Sequence, residues 1–406
     1  MSKLFSSVGL SVRGDFLIAL ALLTNGIVWF YIAYVIIDNL VIQFHLTGME
    51  ETLAYLMYFS FASFSAFIGS LLSKKFNKIS LLRIWVILGI AGSIFPILIT
   101  ESFLPQILAI SIFLGFSFGL GMPSCLSYFV NVTAFGNRGF FSGLIFMITN
   151  LMAPFFVATL SANLTLTCLI SALWKSVGLL VLLAKPKEEN HLALDFHGKS
   201  FRSILSEKAF LLYFVAWLMF CLVERMETPL ISNILKSFSS VVFSIGPFIG
   251  AISSLVAGIL SDRIGRKKIM LSCFPMYGVA YAVIGLAPYS VFSWYLYLII
   301  YSVTSGALWM IFILVIWGEI ANSKHSEKHF ALGEFPYFLA YIAQLFVTPH
   351  VLEIEKTSAF SLAAFFLFLA VIPLMYAPET LPEKKIKERE LKEYIEKAKK
   401  IKEKYG

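Results

Sequence analysis

One apolar run, roughly residues 209–232, carries two carboxylates three residues apart, Glu224 and Glu227, with Arg225 between them and Thr228 and Pro229 following. On a helix, residues three apart share a face, so both acids and the Thr228 hydroxyl look the same way, while Arg225 points about 100° off and cannot readily pair with its neighbour. The run is long enough to cross a bilayer, and counted from Phe210 the cluster lies just outward of its middle. Charge at that depth is costly unless it is paired or wetted, which makes these residues candidates for a solute and ion pathway. Two crowded carboxylates resist ionising together, so one can carry a proton at neutral pH. The alternative is a static ion network tying this span to the first and eleventh spans near an outer gate.

Other polar residues lie in apolar runs. Asp38, near the outer end of the first run, can pair with Arg225 as a gate or stand as a solvated helix-end acid. Lys175 sits at the centre of the sixth run, too deep for easy snorkelling, and must turn inward to an acid or flex toward water. Asn25, Asn150 and Gln344 can hydrogen-bond a polar solute, and Tyr31, Tyr34, Tyr128, Tyr337, Tyr341 and Trp309 can form an aromatic wall. His325 and His329 are four apart, but Glu327 is not where a zinc-protease helix needs its base, so an exposed loop is expected. Nothing pairs a nucleophile with a base, cages a metal or reads as an ATP-binding loop, so neither an enzyme nor a cofactor is expected. The cysteines Cys125, Cys168, Cys221 and Cys273 fall in apolar runs, where they behave as small hydrophobes.

These residues need membrane-spanning elements to hold them. With 59% hydrophobic residues, 14% charged and 40 Phe, the chain has too little polar surface to cover a soluble globule. At ~20 apolar residues per crossing, twelve spans are expected: roughly 16–43, 52–72, 79–100, 103–128, 140–161 and 165–184, then 209–232, 238–260, 268–287, 292–318, 331–351 and 358–377. Loops on the side shared with the N-terminus hold sixteen Lys and Arg, whereas the opposite loops hold only Lys236 and Lys356. The asymmetry predicts a multi-pass protein of the plasma membrane with both termini cytoplasmic.

A second motif lies where one apolar run ends and the next begins: Gly258-Ile-Leu-Ser-Asp262-Arg263-Ile-Gly265-Arg266-Lys267-Lys268. Gly258 permits close helix approach, Gly265 a sharp turn, and Asp262 can face the N-terminal end of a neighbouring helix. The spacing closely resembles the loop signature of the major facilitator superfamily, which lies between the second and third helices of each six-helix half. That resemblance covers roughly residues 14–380 and implies an all-α integral membrane fold of two six-helix bundles, with a solute site between them. It also implies an inner latch, to which Glu319, Glu334 and the Arg138-Gly139 pair are assigned with the loop cations. The first-half copy, from Gly69, has Ser73 where the acid should be, and no acid lies near Tyr128 to Thr133. The latch is therefore expected to be one-sided. Pro378-Glu379-Thr380 is similar to the signature that follows helix 12 in the sugar-porter branch.

An internal repeat agrees with two halves. Ile37-Asp38-Asn39-Leu40 and Phe44 match Ile231-Ser232-Asn233-Ile234 and Phe238, Phe16-Leu17 match Phe210-Leu211, and Gly69 falls on Gly258. The expected domains are 1–184 and 209–377, with a linker at 185–208 containing a short surface helix and a charged helical tail at 378–406. The sequence thus predicts a monomeric secondary transporter in the lipid bilayer. It would move a small polar or charged organic solute by alternating access, coupled to protons as in symport, with no nucleic-acid partner. A proton-driven antiporter expelling organic cations is the alternative, and a non-transporting solute sensor is a further one. Ala153-Pro154 faintly resembles an antiporter signature but lacks its glycines and leaves the direction of transport open.

Overall fold

The computed structural model describes residues 14–99, 103–160, 163–183, 199–235, 240–321, 325–351 and 353–382. The expected tail helix from Glu383 and most of the expected linker lie outside these residues.

Twelve helices are long and apolar enough to cross a membrane, and among the described residues there are no strands. The first half comprises α1 (Gly14–Gln43), α2 (Met49–Leu72), α3 (Lys78–Ile94, with a 3-10 turn to Leu98), α4 (Leu104–Val132), α5 (Arg138–Leu160) and α6 (Leu164–Leu183). The second comprises α7 (Lys208–Leu235), α8 (Ser240–Ile264), α9 (Arg266–Leu286), α10 (Val291–Ala321), α11 (Glu327–Val351) and α12 (Lys356–Tyr376). In hydrocarbon every backbone polar group must be satisfied within the chain, and continuous helices do so. Large apolar side chains on the outer surface, such as Leu286, Phe292 and Leu173, are exposed as a lipid-facing belt requires. In the connection between the halves, Phe201–Leu205 forms a short helix capped by Ser200, whose side chain accepts from the Ser203 amide at 3.1 Å.

The ends differ from the sequence expectation where polar residues find partners. α4 runs on to Val132, and α11 begins at Glu327, four residues before the expected start. His329 is consequently a buried residue of α11's first turn packed near Phe210, not part of an exposed loop. Glu327 can enter the helix because its carboxylate is neutralised by Lys78, as described below.

The halves meet through α2, α4 and α5 on one side and α8, α10 and α11 on the other. α5 and α8 approach most closely: a Cβ on Gly258 would lie 2.3 Å from the Gly139 carbonyl oxygen, and one on Gly143 would lie 2.5 Å from that of Ser254. Small residues on both helices make this approach possible. α10 contains a π-helical stretch, Ile311–Ile316, which resets the register between Trp309 and Glu319. Gly69, grouped with Gly258 by the repeat, plays a different part. It packs inside the first half against α4, where an added Cβ would fall 1.8 Å from the Leu120 oxygen. The Ser73 hydroxyl bonds its own helix at Ser70, 2.9 Å away. Gly69→Val is expected to cost about 1–3 kcal/mol or more by overpacking. Thermal unfolding in detergent would show this as a lowered midpoint, with Gly14→Val, which meets nothing within 4 Å, as the unaffected control.

Candidate functional site

At one end of the bundle the halves are joined by buried charge. Glu319 on α10 accepts through Oε1 from Arg266 Nη2 at 3.1 Å and from Arg138 Nη1 at 3.4 Å, and all three side chains are almost wholly buried. The Arg138 guanidinium also donates to the carbonyls of Val130 and Thr133, and Arg266 to those of Ser261 and Phe135. Asp262 pairs with Arg266 at 2.8 Å and accepts from the Gly139 and Phe140 amides at 2.9 and 2.7 Å. A carboxylate from the second half thus caps the N-terminus of α5 in the first, where unsatisfied amides favour negative charge. Gly265 has φ 108° and starts α9, whose first two amides donate to Glu379 at 2.9 and 3.1 Å. Thr380 donates to Glu319 Oε2 at 2.6 Å. Arg263 is exposed and stands apart from this cluster.

Two sequence expectations need correction here. Arg138 is held by carbonyls of its own half and also reaches across to Glu319, and the first half, although it brings no acid, joins the latch through its cations. A second buried bridge joins Lys78 of α3 to Glu327 of α11 at 3.0 Å, with Lys78 also donating to Ser127 at 3.0 Å. Both bridges take the cation from the first half and the acid from the second, so the acids absent from the first half are supplied by its partner. Glu334, expected in the latch, is not there either. It lies seven residues, or two turns, beyond Glu327 and faces the cavity between the halves.

That cavity has a volume of about 520 Å³. The first half lines it with an apolar wall including Ile27, Phe30, Phe118, Met122 and Phe146, with Asn150 adding an amide. The second half supplies Glu224, Arg225, Thr228 and Glu334 together with hydroxyls from Tyr281, Tyr297, Tyr301 and Ser302. Glu224 accepts from Tyr301 at 2.7 Å and from Tyr277. Arg225 lies over the Tyr341 ring at 4.1 Å, with Trp309 and Tyr337 at 5.8 and 5.9 Å. Glu227, although buried, does not line the cavity, and its Oε2 has no partner among the described residues. Of the two α7 acids only Glu224 therefore reaches the cavity wall, held there by Tyr277 and Tyr301.

The sequence profile of the Major Facilitator Superfamily matches residues 226–403. Solved structures extend the likeness over both halves. The proton:xylose symporter XylE bound to 6-bromo-6-deoxy-D-glucose superposes with a TM-score of 0.71 at 14% identity, over 90% of this chain and 96% of that one. A bacterial homologue of the iron transporter ferroportin, in an outward-facing state, gives 0.70 at 15% identity over 90% and 99%. The human organic anion transporter MFSD10 (TETRAN) gives 0.62 at 14% identity over 89% and 99%. The profile match falls on the second half of the chain, and the solved structures show that both halves share the fold of these transporters. No curated protein shows significant sequence similarity to it.

Within this superfamily fold several expected cavity residues serve other purposes. Asn25 and Trp174 exchange hydrogen bonds with each other's backbone, joining α1 to α6. Gln344 is absent from the cavity wall. Asp38 accepts from Tyr55 and forms no ion pair with Arg225, whose guanidinium is occupied by aromatic faces. Lys175 finds no acid. Its Nζ sits 3.7 Å from the centre of the Trp85 ring and 4.8 Å from that of Trp29, without a hydrogen-bond partner among the described residues. Gly89 leaves room for it, since a Cβ there would lie 2.6 Å from Lys175 Cε.

Sequence reasoning missed the Lys78–Glu327 bridge, the Glu379 cap and the two tyrosines on Glu224. A signal for the first existed: Glu327 and Glu334 share a helix face at a two-turn spacing.

Glu319→Gln leaves the buried Arg138 guanidinium without an acid and Arg266 with Asp262 alone, at a cost to the closed end of about 3–5 kcal/mol. A cysteine placed at the buried Ser261 position should then be alkylated markedly faster than in the intact latch. An unchanged rate would show that Glu319 does not hold this end shut. Lys175→Met removes an unpaired amine at nearly constant volume, so the unfolding midpoint should stay level or rise. A large fall would mean that the aromatic contacts outweigh the burial cost.

Proposed function

We propose that this protein is a transporter of the major facilitator superfamily, a proton-coupled secondary carrier of a small polar or charged organic solute, working as a monomer by alternating access in the plasma membrane with both termini cytoplasmic. The observation that carries this reading is the cavity between the halves, lined by Glu224, Arg225 and Glu334, next to an end sealed by ion pairs that run from one half to the other. With the Lys/Arg-rich loops on the cytoplasmic side, that sealed end faces the cytoplasm. The solute then enters from the opposite side and leaves when the Glu319 and Lys78–Glu327 contacts part. Buried ion pairs suit such a switch, because they hold when made and are costly when half made.

Glu224 is the favoured proton carrier of the two α7 acids, because it lines the solute cavity and its hydroxyl partners on α9 and α10 can rearrange as a proton arrives or leaves. In proteoliposomes, Glu224→Gln is expected to abolish solute accumulation driven by a pH gradient while leaving exchange of solute across the membrane in place. Glu227→Gln should have the smaller effect. Uptake that stays equally dependent on the pH gradient in both variants removes these carboxylates from the coupling mechanism.

A further inference from the structure

Three acidic or basic side chains line the cavity among the described residues: Glu224, Arg225 and Glu334. The first two compensate each other. Glu224 lies in the field of Arg225 and has both oxygens engaged by Tyr277 and Tyr301. The Arg225 guanidinium is spread over the faces of Tyr341, Trp309 and Tyr337. Glu334 is different. It is only 6% exposed, no Lys or Arg among the described residues forms an ion pair with it, and its buried Oε1 has no hydrogen-bond partner. A carboxylate left this way in a membrane interior is costly and calls for a partner of opposite charge.

The surroundings describe that partner. Tyr337 and Phe338 stand one turn further along α11, on the same face as Glu334. Phe30 packs 5.9 Å from Tyr337 and 6.4 Å from Phe338, and Phe118 lies 6.3 Å from Phe338. Trp309 meets Tyr337 edge-on at 5.3 Å. Aromatic faces around a carboxylate favour a weakly hydrated organic cation, which gains from both, over an inorganic ion that would have to shed tightly held water. Apart from Tyr31 and Asn150 the first-half wall is apolar, so it takes a hydrocarbon or aromatic body. A volume of about 520 Å³ falls within the range of drug-sized sites.

We infer that the solute is a monovalent amphiphilic organic cation, an amine or quaternary onium with an apolar body, whose charged group docks on Glu334 and whose body lies against Phe30, Phe118 and Phe338. This deepens the proposed function and rests on it. The ring of aromatics does the work of a partly dehydrated socket, and the lone carboxylate selects the sign of the charge.

The test uses two probes of equal shape and opposite charge, tetraphenylphosphonium and tetraphenylborate, with the full-length protein purified in detergent. Binding is followed by quenching of the cavity tryptophans, Trp217 and Trp309. Tetraphenylphosphonium should bind saturably and at least tenfold more tightly than tetraphenylborate. Glu334→Gln should erase that preference, and Glu334→Asp, which keeps the charge, should retain it. Equal binding of the two ions, tighter binding of the borate, or a preference unchanged by Glu334→Gln overturns the inference. The wild-type ratio is decisive even if the variants fold poorly. The transporter reading is tested separately, by labelling a cysteine at Ser302 from each face of the membrane in turn. Access alternating between faces supports carriage whatever the ligand, whereas access from one face only defeats that reading without touching the charge preference.

Discussion

Glu319 holds two guanidiniums from opposite halves of the molecule on a single carboxylate oxygen. Three charges buried together are tolerable because each is paired and further guanidinium donors reach the carbonyls of Val130, Thr133, Ser261 and Phe135. The helix packing around them depends on the same contact: α5 and α8 come close enough for glycine to face glycine, and Asp262 can then reach the first amides of α5. Glu379 and Thr380 extend the cluster beyond α12, capping α9 and satisfying the second oxygen of Glu319. The sealed end is thus one cooperative unit, in which loss of any member strands another's charge.

The polarity of that unit accounts for an apparent defect in the sequence. Ser73 stands where the first-half signature lacks its acid, yet the buried cations Arg138 and Lys78 of that half both find one. The first half contributes Arg138, Lys78 and the amide end of α5, and the second contributes Glu319, Glu327 and Asp262. Because all the acids lie on one side of the seam, the first-half cations find partners only by contact with the other half. In the proposed cycle, separation exposes both faces to water, where each is readily solvated, so the same residues suit the closed and the open end.

The cavity divides along the same seam for a different reason. Its first-half wall is built from side chains that also form that half's packed interior, Phe30 and Phe118 among them, while the second-half wall carries most of the hydroxyls and all three charges. The π-helical stretch of α10 lets one helix present Trp309 to the cavity and Glu319 to the latch. α11 serves both sites with regular geometry, Glu327 at the latch and Glu334 two turns on in the cavity.

Much of the architecture could be read from the residues in order. Twelve apolar runs, a skewed distribution of Lys and Arg, and the glycine and charge spacing from Gly258 to Lys268 follow from hydrocarbon thickness and helix geometry, which act locally. Local rules also placed Glu224, Arg225 and Asn150 on the cavity side. They could not choose partners. Which carboxylate meets which cation depends on helices far apart in the chain, so the residues in order do not show that Arg138 meets Glu319, that Glu334 faces the cavity, that Asn25 joins α1 to α6 or that Lys175 lies over the Trp85 ring. Those outcomes are set by the rotation of each helix about its axis and by competition for neighbours, which only the folded bundle resolves. It gave Lys175 two indole faces and left Glu334 facing the cavity with an oxygen unpaired.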